Sequence, residues 1–458
     1  MGVTVNEPDS MKGFRPAQVT PSTKQRPQLG LGRLDAIGPR LPPFVGDPTA
    51  RSSPAGRRAD SSQPGRPAHR PPTGAHTVPT DIVIVSAART PIATAYKGSL
   101  AGVDAFALSE VAMGAAVERS GVPTELIEDI GWGESFQGGG NVGRYAANQI
   151  GLTNVPGVAT QRWCASGMAG TQWIAANIAA GMIDAGIGGG VESMSTAPMG
   201  SKGGEFWLSP ANLETEDAPP FNTAKGVGDN AARMAGVTRE EADEWAYRSH
   251  MNAIRAIDEG RFKNEVVPVT LPDGSLFEVD EHPRRGSTLE KLASLPLLND
   301  GDAGATTTAG NSSGLNDAAA ALVLTSREFA EANSLIPLAV IRGWASVSLS
   351  PAETGLTPSL AINKALGKAG VGLGDISSFE INEAFASVTV AAIKRLGIDP
   401  EIVNVNGSGC SLGHPIGCTG ARMIVTMINE LERTDSHFGA VAMCAAGGMG
   451  SATIIERV

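Results

Sequence analysis

Cysteine is scarce in this chain, at four in 458 residues. That excludes a disulfide scaffold and fits a reducing, cytoplasmic setting. Basic residues are in deficit: 36 Lys and Arg stand against 47 Asp and Glu, for a net charge of −11. Such a balance argues against a nucleic-acid partner. Long apolar runs are missing as well. The longest candidate, GAVAMCAAGGMGSATII, is broken by glycines and ends the chain. It reads as buried sheet, not as a membrane span. Aromatics make up 5%, whereas glycine is plentiful at 57 residues. Tight turns and close backbone approaches are therefore expected. With 41% hydrophobic and 18% charged residues, the length allows a large core in two or three domains.

The first 78 residues differ from the rest. They hold 13 of the 30 prolines, with 11 Lys and Arg against 5 Asp and Glu. Apolar periodicity is absent, so this segment cannot bury enough surface to fold. Arginine and serine suit a transit peptide; the dense prolines and Asp35, Asp47 and Asp60 favour a solvated extension.

Order begins at TDIVIVSAARTPI, with a buried strand at Ile82 to Val85. An amphipathic helix follows Asp104, a candidate N-cap. Strand and helix then alternate, with helices expected from about Arg144 and over 166–180. This alternation predicts a parallel sheet covered on both faces. The pattern recurs: IEDIGWGESF (127–136) is echoed by LGDISSFEINEAF (373–385), with Asp129 and Asp375 separated by 246 residues. The same offset carries Cys164 to position 410, so WCASGMAG and GCSLGHPIGCTG are expected at equivalent turns. A polar helical insert, roughly 200–290, separates the halves.

Four positions carry the candidate chemistry. A lone cysteine beside Trp163 is ordinarily a small buried hydrophobe. CASGMAG, however, reads as a helix start, where free N–H groups stabilise a thiolate or an oxyanion. His414 is set between glycines and a proline, which suits close approach to a ligand. Cys410, His414 and Cys418 have C-x3-H-x3-C spacing. Pro415 and the glycines break the helix that would align such ligands, and no fourth ligand is near, so no metal site is expected. Cys444 ends a buried strand that turns through glycines. Asn382 and Glu383 of NEAFA are also candidate helix caps. GGGNVG (138–143) fits a dinucleotide fingerprint but lacks the acidic residue about twenty positions on.

Taken together, the set resembles the thiolase family. CASG, GGVESMS, TAGNSSGLNDAAAA, INEAFA, NVNGSGCSLGHPIGCTGAR and CAAGGMG match thiolase motifs in order, over about Thr80 to Val458. The resemblance implies an α/β fold, a five-layered αβαβα core of two duplicated halves with an inserted loop domain. On it, 1–78 is a disordered tail, 79–200 and 296–334 form the N-terminal half, 201–295 the loop domain, and 335–458 the C-terminal half. It implies an acyltransferase that cleaves 3-oxoacyl-CoA with CoA or runs the reverse Claisen condensation. Acyl-CoA and CoA are its expected partners. Coenzyme A is a substrate, and no other cofactor, nucleic acid or membrane is expected. A homodimer or homotetramer is implied.

By the same resemblance, Cys164 is the nucleophile and His414 activates it in a pairing that favours thiolate. Cys444 is the acid/base at the α-carbon. Asn382 holds a water that stabilises the enolate oxygen with His414. The backbone N–H groups of Cys164 and Ala446 form an oxyanion hole. Arg284 is matched to a CoA phosphate, with a surface ion pair as the alternative; Ala309 and Ser313 to the pantetheine; and Phe385 to the thioester. Three stretches depart from the family pattern: Ala446 replaces a glycine, TAPM follows ESMS, and AKGVGDN (224–230) matches poorly. A ketosynthase-type enzyme shares the fold but pairs its cysteine with two histidines, which Asn382 disfavours. A non-catalytic acyl-CoA or lipid-binding relative is expected to have lost one of the four residues, and all four are present.

Overall fold

The computed structural model describes residues 81–137, 140–197, 218–219 and 222–458. The 1–78 segment, residues 138–139 of GGGNVG and 198–199 of TAPM lie outside the described residues. The strands are β1 (Ile82–Arg89), β2 (Ala93–Thr94), β3 (Asp129–Gly133), β4 (Gly157–Thr160), β5 (Ala185–Ser193), β6 (Val269–Thr270), β7 (Leu276–Phe277), β8 (Asn316–Ser326), β9 (Ala339–Ser348), β10 (Ile376–Ile381), β11 (Phe438–Ala445) and β12 (Met449–Arg457). Ten of them form one sheet, nine along the path β10-β11-β12-β9-β1-β8-β5-β3-β4 and β2 off it beside β8; β6 and β7 pair separately.

The path consists of two copies of one motif. β1 and β9 meet only through Val83–Val340 and Ile84–Ala339. On one side the order is β1-β8-β5-β3, and on the other β9-β12-β11-β10. A parallel bridge between Phe379 and Val403 stands where β4 stands in the first half. The helices Ala105–Ser120, Val142–Gln149 and Ser166–Ala179 recur as Thr357–Ala369, Ala386–Leu396 and Thr419–Arg433.

Two expectations need correction. First, the sheet is mixed. β3 runs parallel to β4 and β5, and β10 parallel to β11, but β1, β8, β9 and β12 pair antiparallel with their neighbours. The cause is local: β12 returns from β11 through the turn Ala446–Gly448, with no crossover helix between them. Second, the offset of 246 does not hold past the strands. The helices Ser166–Ala179 and Thr419–Arg433 start 253 residues apart (419 minus 166), so the second half is longer by seven. The counterpart of Cys164 is therefore Gly417, not Cys410.

Side chains alternate across each strand, so each half-sheet is buried on both faces. Val83 and Val85 face Leu108, Ala112, Ala146 and Ala147 of the outer helices. Ile82 and Ile84 face the opposite way, into a core shared with Met168, Ile174, Met423, Ile424, Val441 and Met443. Ala440, Ala442 and Cys444 look into a third core with Ala361, Ile362 and Val388. Helices Ser166–Ala179 and Thr419–Arg433 thus lie between the two half-sheets, giving the five layers. Each fully buried Ile or Leu contributes roughly 1.5–3 kcal/mol.

Helix starts are explained locally. Asp104 Oδ1 accepts the Ala107 N–H at 2.9 Å. Helix Arg239–Asp258 opens on a capping box between Thr238 and Glu241. That helix and the β6-β7 hairpin belong to the long excursion between β5 and β8. The excursion is tied to β1 by the fully buried Arg89, which binds Glu265 at 2.7 Å and Asp280 at 2.8 and 2.9 Å. Arg89→Ala should leave two buried carboxylates without their cation and cost about 3–5 kcal/mol. The expected readout is a lowered urea midpoint. Among the described residues no helix is long and apolar enough to cross a membrane.

Candidate active site

Cys164 lies immediately before the N-cap of the central helix Ser166–Ala179. The preceding Trp163 has φ 46°, a left-handed conformation unfavourable for so large a residue. Hydrogen bonds hold this turn. Ser166 and Ser135 hydroxyls donate to the Trp163 carbonyl at 2.6 and 2.9 Å. The Arg162 N–H donates to Ser166 Oγ at 2.9 Å, and Thr160 Oγ1 donates to the Ser166 carbonyl at 3.0 Å.

The residue is half-buried, with protein round its sulfur. Its own N–H and that of Ala446 both act on the thiol, which is the donor pair expected of the oxyanion hole. Cys444, buried at the end of β11, lies close enough for charge on Cys164 to affect it. Burial dominates both thiols. It pushes Cys164 up to about 11, with the Glu192 charge acting the same way and the two N–H groups opposing. Burial, then the neighbouring Cys164, pushes Cys444 up as well.

His414 is buried on the loop before helix Thr419–Arg433. The Thr419 hydroxyl donates to the Pro415 carbonyl at 2.8 Å, so it accepts from His414 Nδ1–H at 2.6 Å. This network assigns the tautomer: Nε2 carries the free lone pair and faces Asn382 Nδ2 at 3.5 Å. Burial, and then Arg422, push the imidazole down to about 3. The resting pair is therefore thiol and neutral imidazole. Desolvation outweighs the N–H groups at the helix start, so the proton stays on Cys164 until His414 takes it. Among the described residues no hydrogen bond joins the Cys164 sulfur directly to the imidazole.

Asn382 is fully buried at the end of β10; its N–H donates to the Ala442 carbonyl at 3.0 Å, and its Oδ1 has no partner among the described residues. The neighbouring Glu383 is not a helix cap. Its carboxylate accepts from Trp245 Nε1, Ser249 Oγ, Asn404 Nδ2 and the Cys410 N–H at 2.6–3.0 Å. Cys410 and Cys418 are buried and unpaired, with Cys410 Sγ turned to the Glu383 carbonyl at 3.6 Å.

Ala446 stays outside the left-handed region. The positive φ values of its turn fall on Gly447 (84°) and Gly448 (83°), so an alanine at 446 is accommodated without strain.

Of the residues matched to CoA, Ser313 and Phe385 lie on segments that pair just after Asn382. Ser313 N–H donates to the Ala384 carbonyl at 3.0 Å, Ser312 bridges to Phe385, and Ala309 is exposed on the same loop. Arg284 is exposed and in no ion pair among the described residues; its neighbour Arg285 pairs with Asp258. Arg284 N–H donates to His250 Nδ1 at 3.2 Å. The poorly matching stretch 224–230 forms a wide π-type helical turn, whose Gly228 carbonyl accepts from Ser387 Oγ at 2.8 Å.

Sequence reasoning passed over Asn316. Its Oδ1 accepts the His414 N–H at 2.9 Å while its Nδ2 donates to the Ala93 carbonyl at 3.0 Å. It sits in TAGNSSGLNDAAAA, but no pattern of residue types gives it a task. Thr419 and Glu192 were missed for the same reason.

Fold and site together define a condensing-type acyltransferase scaffold, and the chain belongs to the thiolase family. Residues 82–328 match the family described as Thiolase, N-terminal domain, and 335–457 that described as Thiolase, C-terminal domain. It is 39% identical to the 3-ketoacyl-CoA thiolase of Bacillus subtilis (strain 168), over 82% of this chain and 99% of that one. It is likewise 39% identical to the beta-ketoadipyl-CoA thiolase of Pseudomonas aeruginosa, over 82% and 99%. The crystal structure of the Bacillus anthracis acetyl-CoA acetyltransferase superposes with a TM-score of 0.75 at 37% identity, covering 83% of this chain and 99% of that one.

Proposed function

We propose that this protein cleaves 3-oxoacyl-CoA with CoA to acetyl-CoA and a shortened acyl-CoA, and runs the reverse condensation, through an acyl group carried on Cys164. The observation that carries the reading is the convergence on one thiol of two backbone N–H groups from opposite halves, with a second thiol, Cys444, beside it.

The protons balance with these residues alone. His414 Nε2 takes the Cys164 proton as the sulfur attacks the 3-oxo carbon. The N–H groups of Cys164 and Ala446 hold the oxyanion. The C2–C3 bond breaks, and the departing enolate takes its proton from the Cys444 thiol. Asn382, with its unpartnered Oδ1, supports a water at the enolate oxygen. In the second half the CoA thiol gives its proton to the Cys444 thiolate and attacks the acyl carbon. Cys164 leaves and recovers its proton from His414. Raised thiols and a depressed imidazole keep the resting site uncharged; between the two halves it holds the His414 imidazolium and the Cys444 thiolate, so its net charge stays zero and burial drives both to return to neutral in the second half.

Arg284, exposed and in no ion pair among the described residues, supports a role at a CoA phosphate, with Ala309 and Ser313 along the pantetheine arm and Phe385 at the thioester. No cofactor besides the substrate CoA enters this scheme. β4 ends the strand path, an open edge of the kind that self-association covers, in keeping with a homodimer or homotetramer. Free thiols at the centre of the chemistry are in keeping with a reducing cytoplasm. The test is thiolysis by purified protein across 3-oxoacyl-CoA chain lengths, with mass analysis of Cys164. Turnover of at least one substrate with acyl-Cys164 is expected; no turnover and no acyl adduct on any of them would sink the reading.

A further inference from the structure

Glu192, the penultimate residue of β5, is fully buried and has no part in the proton scheme above. Its Oε1 accepts the Phe136 N–H at 3.1 Å and the Gln137 side-chain amide at 2.6 Å. Its Oε2 accepts the Gly417 N–H at 2.9 Å. Among the described residues no Lys or Arg pairs with it. The ionisable groups that face it are Glu134 from the loop after β3, Cys164 from the nucleophile turn, and Cys418 from the His414 loop. A buried carboxylate without a cation is costly, and here only its three hydrogen bonds offset that cost.

Those bonds join the two segments that carry the reactive groups. Phe136 and Gln137 follow Ser135, whose hydroxyl holds the Trp163 carbonyl at 2.9 Å. The rings of Phe136 and Trp163 also meet, with centroids 5.9 Å apart. Gly417 lies three residues after His414, in a turn closed by the Cys418 and Thr419 N–H groups on the Pro415 carbonyl, both at 2.9 Å. A Cβ at 417 would sit 3.2 Å from Glu192 Oε2 and closer still to the Val191 carbonyl, so only glycine brings this backbone to the carboxylate. The Gly417 carbonyl in turn abuts Gly167, on the helix that Cys164 precedes, at 2.8 Å from where a Cβ would stand.

We propose that Glu192 is a positioning residue that holds the Cys164 turn and the His414 loop in register, and that it does so in its ionised form. The proposal rests on the acyl-transfer reading for its consequence in turnover. An ionised carboxylate accepts all three N–H groups. A protonated one turns an O–H donor toward a donor, and one bond is lost. Burial, and also Glu134, push Glu192 up to about 7, against the pull of Gln137, Gly417 and Phe136. The three-bond form is thus complete above that pH and is lost as pH falls through it. His414, held near 3, and Cys164, near 11, do not titrate there; Glu380, pushed up to about 8, does titrate nearby, so the inflection is assigned to Glu192 by its loss in Glu192→Gln.

Two variants and two readouts test this. Iodoacetamide labelling of Cys164, followed by peptide mass across neutral pH, needs no acyl-CoA. The wild type should show an inflection near pH 7. Glu192→Gln should label about 10- to 100-fold more slowly, without the inflection. Glu192→Asp, charged but too short to reach both segments, should keep the inflection at a reduced rate. In thiolysis, Glu192→Gln should lower kcat by a similar factor with KM changed less than about threefold. Identical pH profiles in the wild type and Glu192→Gln, or a rate loss matched by loss of folded protein in circular dichroism, would overturn the proposal. The expected labelling profile in a wild type that cleaves no 3-oxoacyl-CoA would uphold Glu192 and sink the thiolase reading.

Discussion

Cys164→Ser should fold as the wild type does and lose acyl transfer by at least about 10³-fold. Serine is nearly isosteric, so the strained Trp163 turn and its bonds to Ser135 and Ser166 stay as they are. What changes is the nucleophile. The thiol at this site is already raised to about 11 by burial, and only a neutral imidazole held near 3 is at hand to take its proton. An alcohol is far less acidic than a thiol and presents a harder, less nucleophilic oxygen to the thioester. Incubation with acetyl-CoA, followed by intact mass, should show an acetyl adduct on the wild type alone. An adduct of equal yield on the serine variant would remove Cys164 from the mechanism.

Cys444→Ala should separate the two halves of the chemistry. The variant keeps Cys164, His414 and both N–H donors, so it should still acquire an acyl group from acyl-CoA. It should fail to exchange the α-protons of acetyl-CoA with deuterated water, and it should lose cleavage and condensation by about 10²–10⁴-fold. The Ala446 turn gives no reason to expect Cys444 to be misplaced, because the left-handed positions are Gly447 and Gly448. Near-normal exchange in this variant would make Cys444 a core residue and assign the base elsewhere.

Much of this protein is readable along the chain. The N-cap at Asp104, the buried strands of the C-terminal run and the small-residue helix start after Cys164 all follow from residue types a few positions apart. Such signals are local, and local geometry realises them. The motif order along the chain also carries the family, and with it Cys164, His414, Cys444 and Asn382 as the residues to examine. Strand direction was misjudged where a turn replaced a crossover helix, since β11 and β12 are joined by Ala446–Gly448 alone. The duplication was legible, but its offset changed by seven residues between strand and helix, which no short match could reveal.

What the sequence by itself determined is therefore the set of elements and the identity of the reactive side chains. The tertiary structure decided their state. Whether Cys164 rests as a thiol or a thiolate depends on how much water surrounds it, and burial is a property of three stacked cores, not of CASG. The tautomer of His414 depends on Thr419 and Pro415, its placement on Asn316 nearly a hundred residues earlier. The reach of Glu192 to Gly417 spans 225 residues of chain. Desolvation and hydrogen-bond networks act between groups that are neighbours only after folding, so no spacing along the chain encodes them.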